Sequence, residues 1–243
     1  MSYLIPSDCS VTSIAFAPPG ELSRKVVKRS NARVTFKYPS WKMQTSLQCE
    51  SENERNCMLY LDMSPHVISF RPQPCEIQYV MNGQDHVHYP DFHVETNGGQ
   101  HLIEVKTLSG LDQHIRDRSD LLTKLLPNHG FQYHLVIAEL IDNPVFLSNA
   151  WYIKRNGKIQ MPMLAREQLR RLFQSMGGIP WRSLQSTSEN PYLNQYVCQL
   201  ILEGLLVVDL TKPITAETLV AWVNYQHAEG EGTWASLISK KVQ

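Results

Sequence analysis

The chain has 243 residues, 42% of them hydrophobic, which is enough to bury the core of one large domain or two small ones. Its 23 basic and 23 acidic side chains cancel, which speaks against an autonomous DNA binder, since such proteins are usually basic overall and take their non-specific affinity from phosphate contacts. The opening "MSYLIPSDCS" lacks a signal-peptide pattern and no apolar run nears the roughly 18 residues of a membrane helix, so a soluble, cytoplasmic protein is expected.

Residues 1–40 carry most of the one clearly basic block. There "APPGELSRKVVKRSNARVTFKYPSWK" sets Arg24, Lys25, Lys28, Arg29, Arg33, Lys37 and Lys42 against the single acid Glu21. A solvated arm and a strip that contacts DNA phosphates are both open readings. Ser51-Glu52-Asn53-Glu54 then reads as a capping box that starts a helix. Glu54 also heads the series Glu54, Cys57, Met58 and Leu61, the spacing of a core-facing helical stripe, where an acid needs a partner. Glu50, one turn earlier, is the fallback for such an acid. Ser64-Pro65 breaks the helix. Strands are predicted at Val67–Phe70 and Cys75–Val80, with Asn82-Gly83 closing a hairpin onto His86–Tyr89.

The next stretch, "YPDFHVETNGGQHLIEVKT", predicts a second hairpin turning at Asn97-Gly98 in type I′ geometry. Pairing Thr96 with Gly99 and Glu95 with Gln100 brings Asp91 opposite Glu104, and the two-residue period puts Lys106 on the same face. The other face carries Phe92, Val94, Ile103 and Val105. Like charges opposite each other in a sheet are destabilising. A solvated edge with mixed charge is one account of them. A divalent cation is the other, because Mg²⁺ is held by one or two carboxylates plus waters and phosphate oxygens and activates water against a phosphodiester. A lysine beside such a site can orient or deprotonate the attacking water.

Beyond it, "LDQHIRDRSDLLTKLL" is an amphipathic helix and "YHLVIAEL" a strand, giving mixed α/β structure with a central sheet. His86, His88 and His93 lie close by, and His86 and His88 alternate on one strand face, but no third ligand has the spacing of a zinc site. The five cysteines, Cys9, Cys49, Cys57, Cys75 and Cys198, lack C-x-x-C spacing and predict reduced thiols. After Asn156-Gly157 the character changes. "MLAREQLRRLFQSMGG" and "NPYLNQYVCQLILEG" predict helices, and "LLVVDLTKPITAETLV" a strand, a Lys-Pro turn, and a strand or helix start. Helices followed by a small hairpin resemble a winged-helix domain, which does not by itself mean DNA binding. Arg166 to Gln243 holds seven basic and seven acidic residues, so docking to protein and reading of DNA both remain open.

Pro90-Asp91 followed by Glu104-Val105-Lys106 resembles the PD-(D/E)XK motif of restriction-endonuclease-like nucleases. With "ESENERNCMLYLDMSPHVISFRPQP" before it, the order of acidic helix, "V..F..QP", "PDF" and "EVK" resembles the TnsA endonuclease family of heteromeric cut-and-paste transposons, over roughly Val34 to Leu140. The resemblance implies an α/β restriction-endonuclease-like domain at 41–160, after the basic arm 1–40 and before a winged-helix-like domain at 161–243. It further implies a bacterial DNA endonuclease that cuts the 5′ ends of a transposon. Asp91 and Glu104 would bind Mg²⁺, for which Mn²⁺ can substitute, with Glu54 and the carbonyl of Val105 assisting and Lys106 positioning the water. The implied partners are transposon-end DNA, a DDE transposase subunit and an AAA+ ATPase regulator that connects to any targeting complex. A restriction or repair nuclease of the same fold, or a catalytically silent assembly module, is the alternative.

Overall fold

The structure is a computed structural model that describes residues 8–18, 20–23 and 36–223. The chain divides into two compact units. One takes the residues up to Met58 together with Val67–Ile141, and the other takes Leu59–His66 and the residues from Asp142 onward.

The first unit begins with β1 (Ser10–Phe16), β2 (Phe36–Pro39), β3 (Ser46–Cys49) and the start of helix α1 (Glu52–Met63). It continues through β4 (Val67–Pro72), β5 (Cys75–Met81), β6 (Gln84–His88), β7 (Phe92–Thr96), β8 (Gly99–Lys106), helix α2 (Gln113–Leu125), β9 (Phe131–Ile137) and the short helix α3 (Ala138–Ile141). The predicted meander resolves into two sheets, one ordered β1-β5-β6 and the other β4-β7-β8-β9, while β2 and β3 pair with each other. Local chemistry makes the switches. Pro72 and Pro74 have no N–H for a ladder, and Gln73 between them takes a left-handed φ of 41°, so the chain leaves one sheet for the other. Tyr89-Pro90 separates β6 from β7 in the same way. The first sheet is completed by β1, a strand without clean two-residue alternation of apolar side chains.

Asn82 and Gly83 have φ of 55° and 71°, as a type I′ turn requires. The Asn97-Gly98 turn departs from expectation. Neither residue has positive φ; instead Gly99 takes 131°, and the Thr96 hydroxyl accepts from Gly98 N at 3.1 Å. The two-residue loop length is kept, and the pairing Thr96 to Gly99 through Phe92 to Ile103 follows the expected register.

On its other side β8 pairs in parallel with β9, and α2 is the crossover that a parallel pair needs. Asp112 caps α2, its carboxylate accepting from Ile115 N at 2.8 Å. One core cluster joins Cys75, Ile77, Tyr79 and Met81 of β5 to Leu102 of β8, Leu121, Leu122 and Leu125 of α2, and Tyr133 of β9. Both faces of β8 are therefore buried, because Ile103 and Val105 are covered as well.

The second unit contains the end of α1, then α4 (Pro144–Asn156), α5 (Met163–Met176), β10 (Gly178–Pro180), α6 (Leu193–Leu202), β11 (Leu206–Val207) and β12 (Leu219–Trp222), with the strands ordered β10-β12-β11. Helix α4 was not predicted, although Asn143 caps it by accepting from Val145 N and Phe146 N at 3.0 Å and Pro144 occupies the first helical position. It ends at Gly157, where an added Cβ would come within 2.8 Å of the Cys198 backbone. Glycine there allows α4 and α6 to pack closely. In the same unit Lys154, 2% exposed, donates to Asp62, 0% exposed, at 2.6 Å. Among the described residues no helix is long and apolar enough to cross a membrane.

Candidate active site

Asp91 lies one residue before β7, and continuing the register past Phe92 and Ile103 sets it beside Glu104. Its carboxylate accepts from Val105 N at 2.7 Å. Glu104 is 3% exposed and stands in an interior strand, so the solvated-edge account of the paired acids does not hold. Lys106 Nζ is 2.5 Å from Glu104 Oε1, as the shared face requires.

Arg118 and Tyr133, which no sequence motif marks, complete the cluster together with His88. Arg118 of α2 reaches the same Glu104 oxygen at 3.4 Å. His88 of β6 stands 3.7 Å from Glu104 Oε2, with its Nε2 3.0 Å from the Tyr133 hydroxyl. The available signal for Arg118 was its place on the amphipathic helix that follows "EVKT"; helical spacing alone does not say which polar residue on that helix turns under the sheet.

The electrostatics follow from burial. Desolvation, then the Glu104 charge, pushes the Asp91 carboxyl well above the usual range. Desolvation also raises Glu104, against the pull of Lys106. Burial opposes the charge on Lys106, but Glu104 and Asp91 outweigh it and hold the ammonium above its ordinary value. His88 is pushed well down by desolvation, with Arg118 and Lys106 adding to the effect, which leaves a neutral ring. Glu104 Oε2 is buried with no hydrogen-bond partner, a costly state for a carboxylate oxygen unless a cation or water takes it.

Ser51 caps α1 as expected, but the Glu54 carboxylate returns to the backbone N–H of Glu50 rather than to that of Ser51. The Glu54 backbone N–H donates to Ser51 Oγ at 3.1 Å, and its two carboxylate oxygens accept from the Ser51 hydroxyl at 2.8 Å and Glu50 N at 2.9 Å. Its charge nonetheless adds to the upward push on both Asp91 and Glu104. Glu50 accepts instead from the Gln73 amide at 2.8 Å. Gln73 N in turn donates to the Asp91 carbonyl at 2.8 Å, so this glutamine of the "QP" pair ties the start of α1 to the Asp91 loop.

No group of three or more His, Cys, Asp and Glu side chains able to hold a metal occurs among the described residues. The donor set brought together is thus the Asp91–Glu104 pair. His86 stacks on Tyr79 and His93 bonds Gln100 at 2.5 Å, which gives the three histidines separate partners. Of the basic block, Arg24, Lys25, Lys28, Arg29 and Arg33 lie outside the described residues; Lys37 is exposed on β2 and Lys42 half-buried.

Residues 64–138 match the model of the TnsA-like endonuclease N-terminal domain. This segment belongs to that family. The TnsA-like match runs from just before β4 into the start of α3 and contains Asp91, Glu104, Lys106 and Arg118, while Glu54 and Glu50 precede it. The mixed α/β architecture with several sheets fits a nuclease-like fold, and the match points to a nuclease of TnsA type. No curated protein matches the chain.

Proposed function

We propose that the chain is the Mg²⁺-dependent endonuclease subunit of a TnsA-type transposase, cutting the 5′ ends of a transposon while a DDE transposase acts on the other strands and an AAA+ ATPase regulates the assembly. The observation that carries this reading is the pairing of the buried Glu104 with the half-buried Asp91, with Lys106 beside them, inside a TnsA-like segment. Two carboxylates suit Mg²⁺, and the unpartnered Glu104 Oε2 is an oxygen donor awaiting a ligand. Asp91 and Glu104 would hold the ion, with the Val105 carbonyl as a further ligand and Glu54 assisting from α1. When bound, Mg²⁺, or Mn²⁺ in its place, supplies an activated water and charge for the leaving oxygen.

The chain's own residues set the rest. The Val105 N–H fixes the Asp91 carboxylate. Lys106, 2.5 Å from Glu104 Oε1, would donate a hydrogen bond and orient the attacking water. The helix order α5, β10, α6 and the β11–β12 pair support a winged-helix-like second unit, and the exposed neighbours Met163 and Leu164 at the start of α5 make a protein partner for it at least as well supported as DNA.

Two experiments test the reading. With zero net charge, the isolated chain should bind duplex weakly at physiological salt, and 5′-end cutting should require the transposase partner. Neutralising Arg24 to Lys42 should weaken duplex binding equally for all sequences and flatten its salt dependence. Efficient cutting of plasmid by the chain alone would favour the restriction or repair alternative. In the second, Glu54→Gln should slow cutting at least tenfold while lowering stability by less than about 1 kcal/mol, since glutamine still closes a capping box. Lost stability with full cutting would leave Glu54 as a cap only.

A further inference from the structure

We propose that Arg118 makes metal loading of the Asp91–Glu104 pair depend on the phosphate of the DNA substrate. The inference rests on the metal-site reading and adds a residue and an order of events to it. Glu104 Oε1 faces two cations, Lys106 at 2.5 Å and Arg118 at 3.4 Å. Lys106 and Arg118 thereby match the charges of Asp91 and Glu104, and only Glu54, whose charge both acids feel, is left over to draw in a divalent ion. Arg118 presents a planar fork of guanidinium donors to this oxygen from α2. It is also confined, with its side chain 13% exposed.

A second observation points to what completes the site. Glu104 Oε2 is a buried acceptor without a hydrogen-bond partner, and Arg118 Nε is a buried donor without one. A cation alone satisfies the acceptor and repels the donor; an anion alone does the reverse. A divalent cation arriving with a phosphodiester serves both, since the phosphate brings the negative charge that makes a third positive group tolerable. Thermodynamic linkage then requires the metal to raise duplex affinity by the factor by which duplex raises metal affinity. A nuclease subunit arranged this way stays unloaded until DNA is delivered.

The test measures Mn²⁺ binding to the full chain from the loss of the free-ion electron spin resonance signal, at low salt, with and without a short duplex. The wild-type chain should bind Mn²⁺ at least tenfold tighter with duplex present. Arg118→Gln should bind Mn²⁺ at least threefold tighter than wild type without DNA and gain correspondingly less from duplex, whereas Arg118→Lys should behave as wild type. Loss of packing does not tighten metal binding, so a merely structural role for Arg118 predicts the opposite sign. Asp91→Ala separates the two levels of argument. If it binds Mn²⁺ as wild type does, the metal-site reading fails. If binding needs Asp91 but duplex leaves the wild-type Mn²⁺ affinity unchanged, or Arg118→Gln binds no tighter than wild type, the role given to Arg118 is overturned. The wild-type comparison stands even if a variant does not fold.

Discussion

Asp91→Ala should reduce 5′-strand cleavage by about a thousandfold or more while leaving the melting temperature unchanged or raised. Charge stabilisation by a catalytic metal is worth several kcal/mol, and each 1.36 kcal/mol is about tenfold in rate. The stability prediction has a separate cause. Asp91 and Glu104 are like-charged neighbours whose burial pushes both carboxyls upward, so deleting one relieves repulsion, against which stands only the loss of the bond to Val105 N. Lys106→Ala should keep Asp91-dependent Mn²⁺ binding but cut roughly a hundredfold more slowly, because the water loses its orienting donor. Nicking in the assembled complex, followed alongside thermal melting, checks both. Cleavage at the wild-type rate by Asp91→Ala would remove the active site from this pocket.

The second large effect is on folding. Lys154→Met should destabilise the protein by about 3–5 kcal/mol, the usual cost of removing one member of a buried ion pair. Burial drives the Lys154 ammonium down to about 8 even though Asp62 pulls it up, so desolvation outweighs pairing in this interaction. The pair is therefore a poor source of net stability but a large liability when half of it is removed. The double substitution Asp62→Leu with Lys154→Met should recover most of the loss in chemical denaturation. Equal destabilisation by the single and double variants would show that the cost lies in packing of the lysine stem instead.

How much of this was legible depends on the range of the interaction. Hairpin register follows from local turn length and two-residue alternation, so Asp91, Glu104 and Lys106 could be placed together from the sequence, and the capping box at Ser51 and Glu54 is equally local. The turn conformation itself departs from type I′, because the Thr96 hydroxyl and Gly99 offer a competing geometry within the same loop length. Strand β1 was missed because its partner β5 lies some sixty residues away in the chain, and α4 because its aromatic and aliphatic residues form no clean stripe. The burial of Glu104 on an interior strand depended on the parallel pairing with β9, which no local pattern announces. Arg118, His88 and Tyr133 reach the pocket only through that tertiary arrangement.

The bond from the Val105 amide to Asp91 gives the site a built-in spectroscopic reporter. A backbone N–H that donates to a carboxylate shifts its proton resonance when that carboxylate gains a proton or a metal, and it exchanges with solvent deuterium only when the bond opens. With the valines labelled with ¹⁵N, the Val105 cross-peak would therefore follow proton binding, cation binding and local opening of the pocket in the intact protein, with no chromophore, no substrate and no cleavage to score.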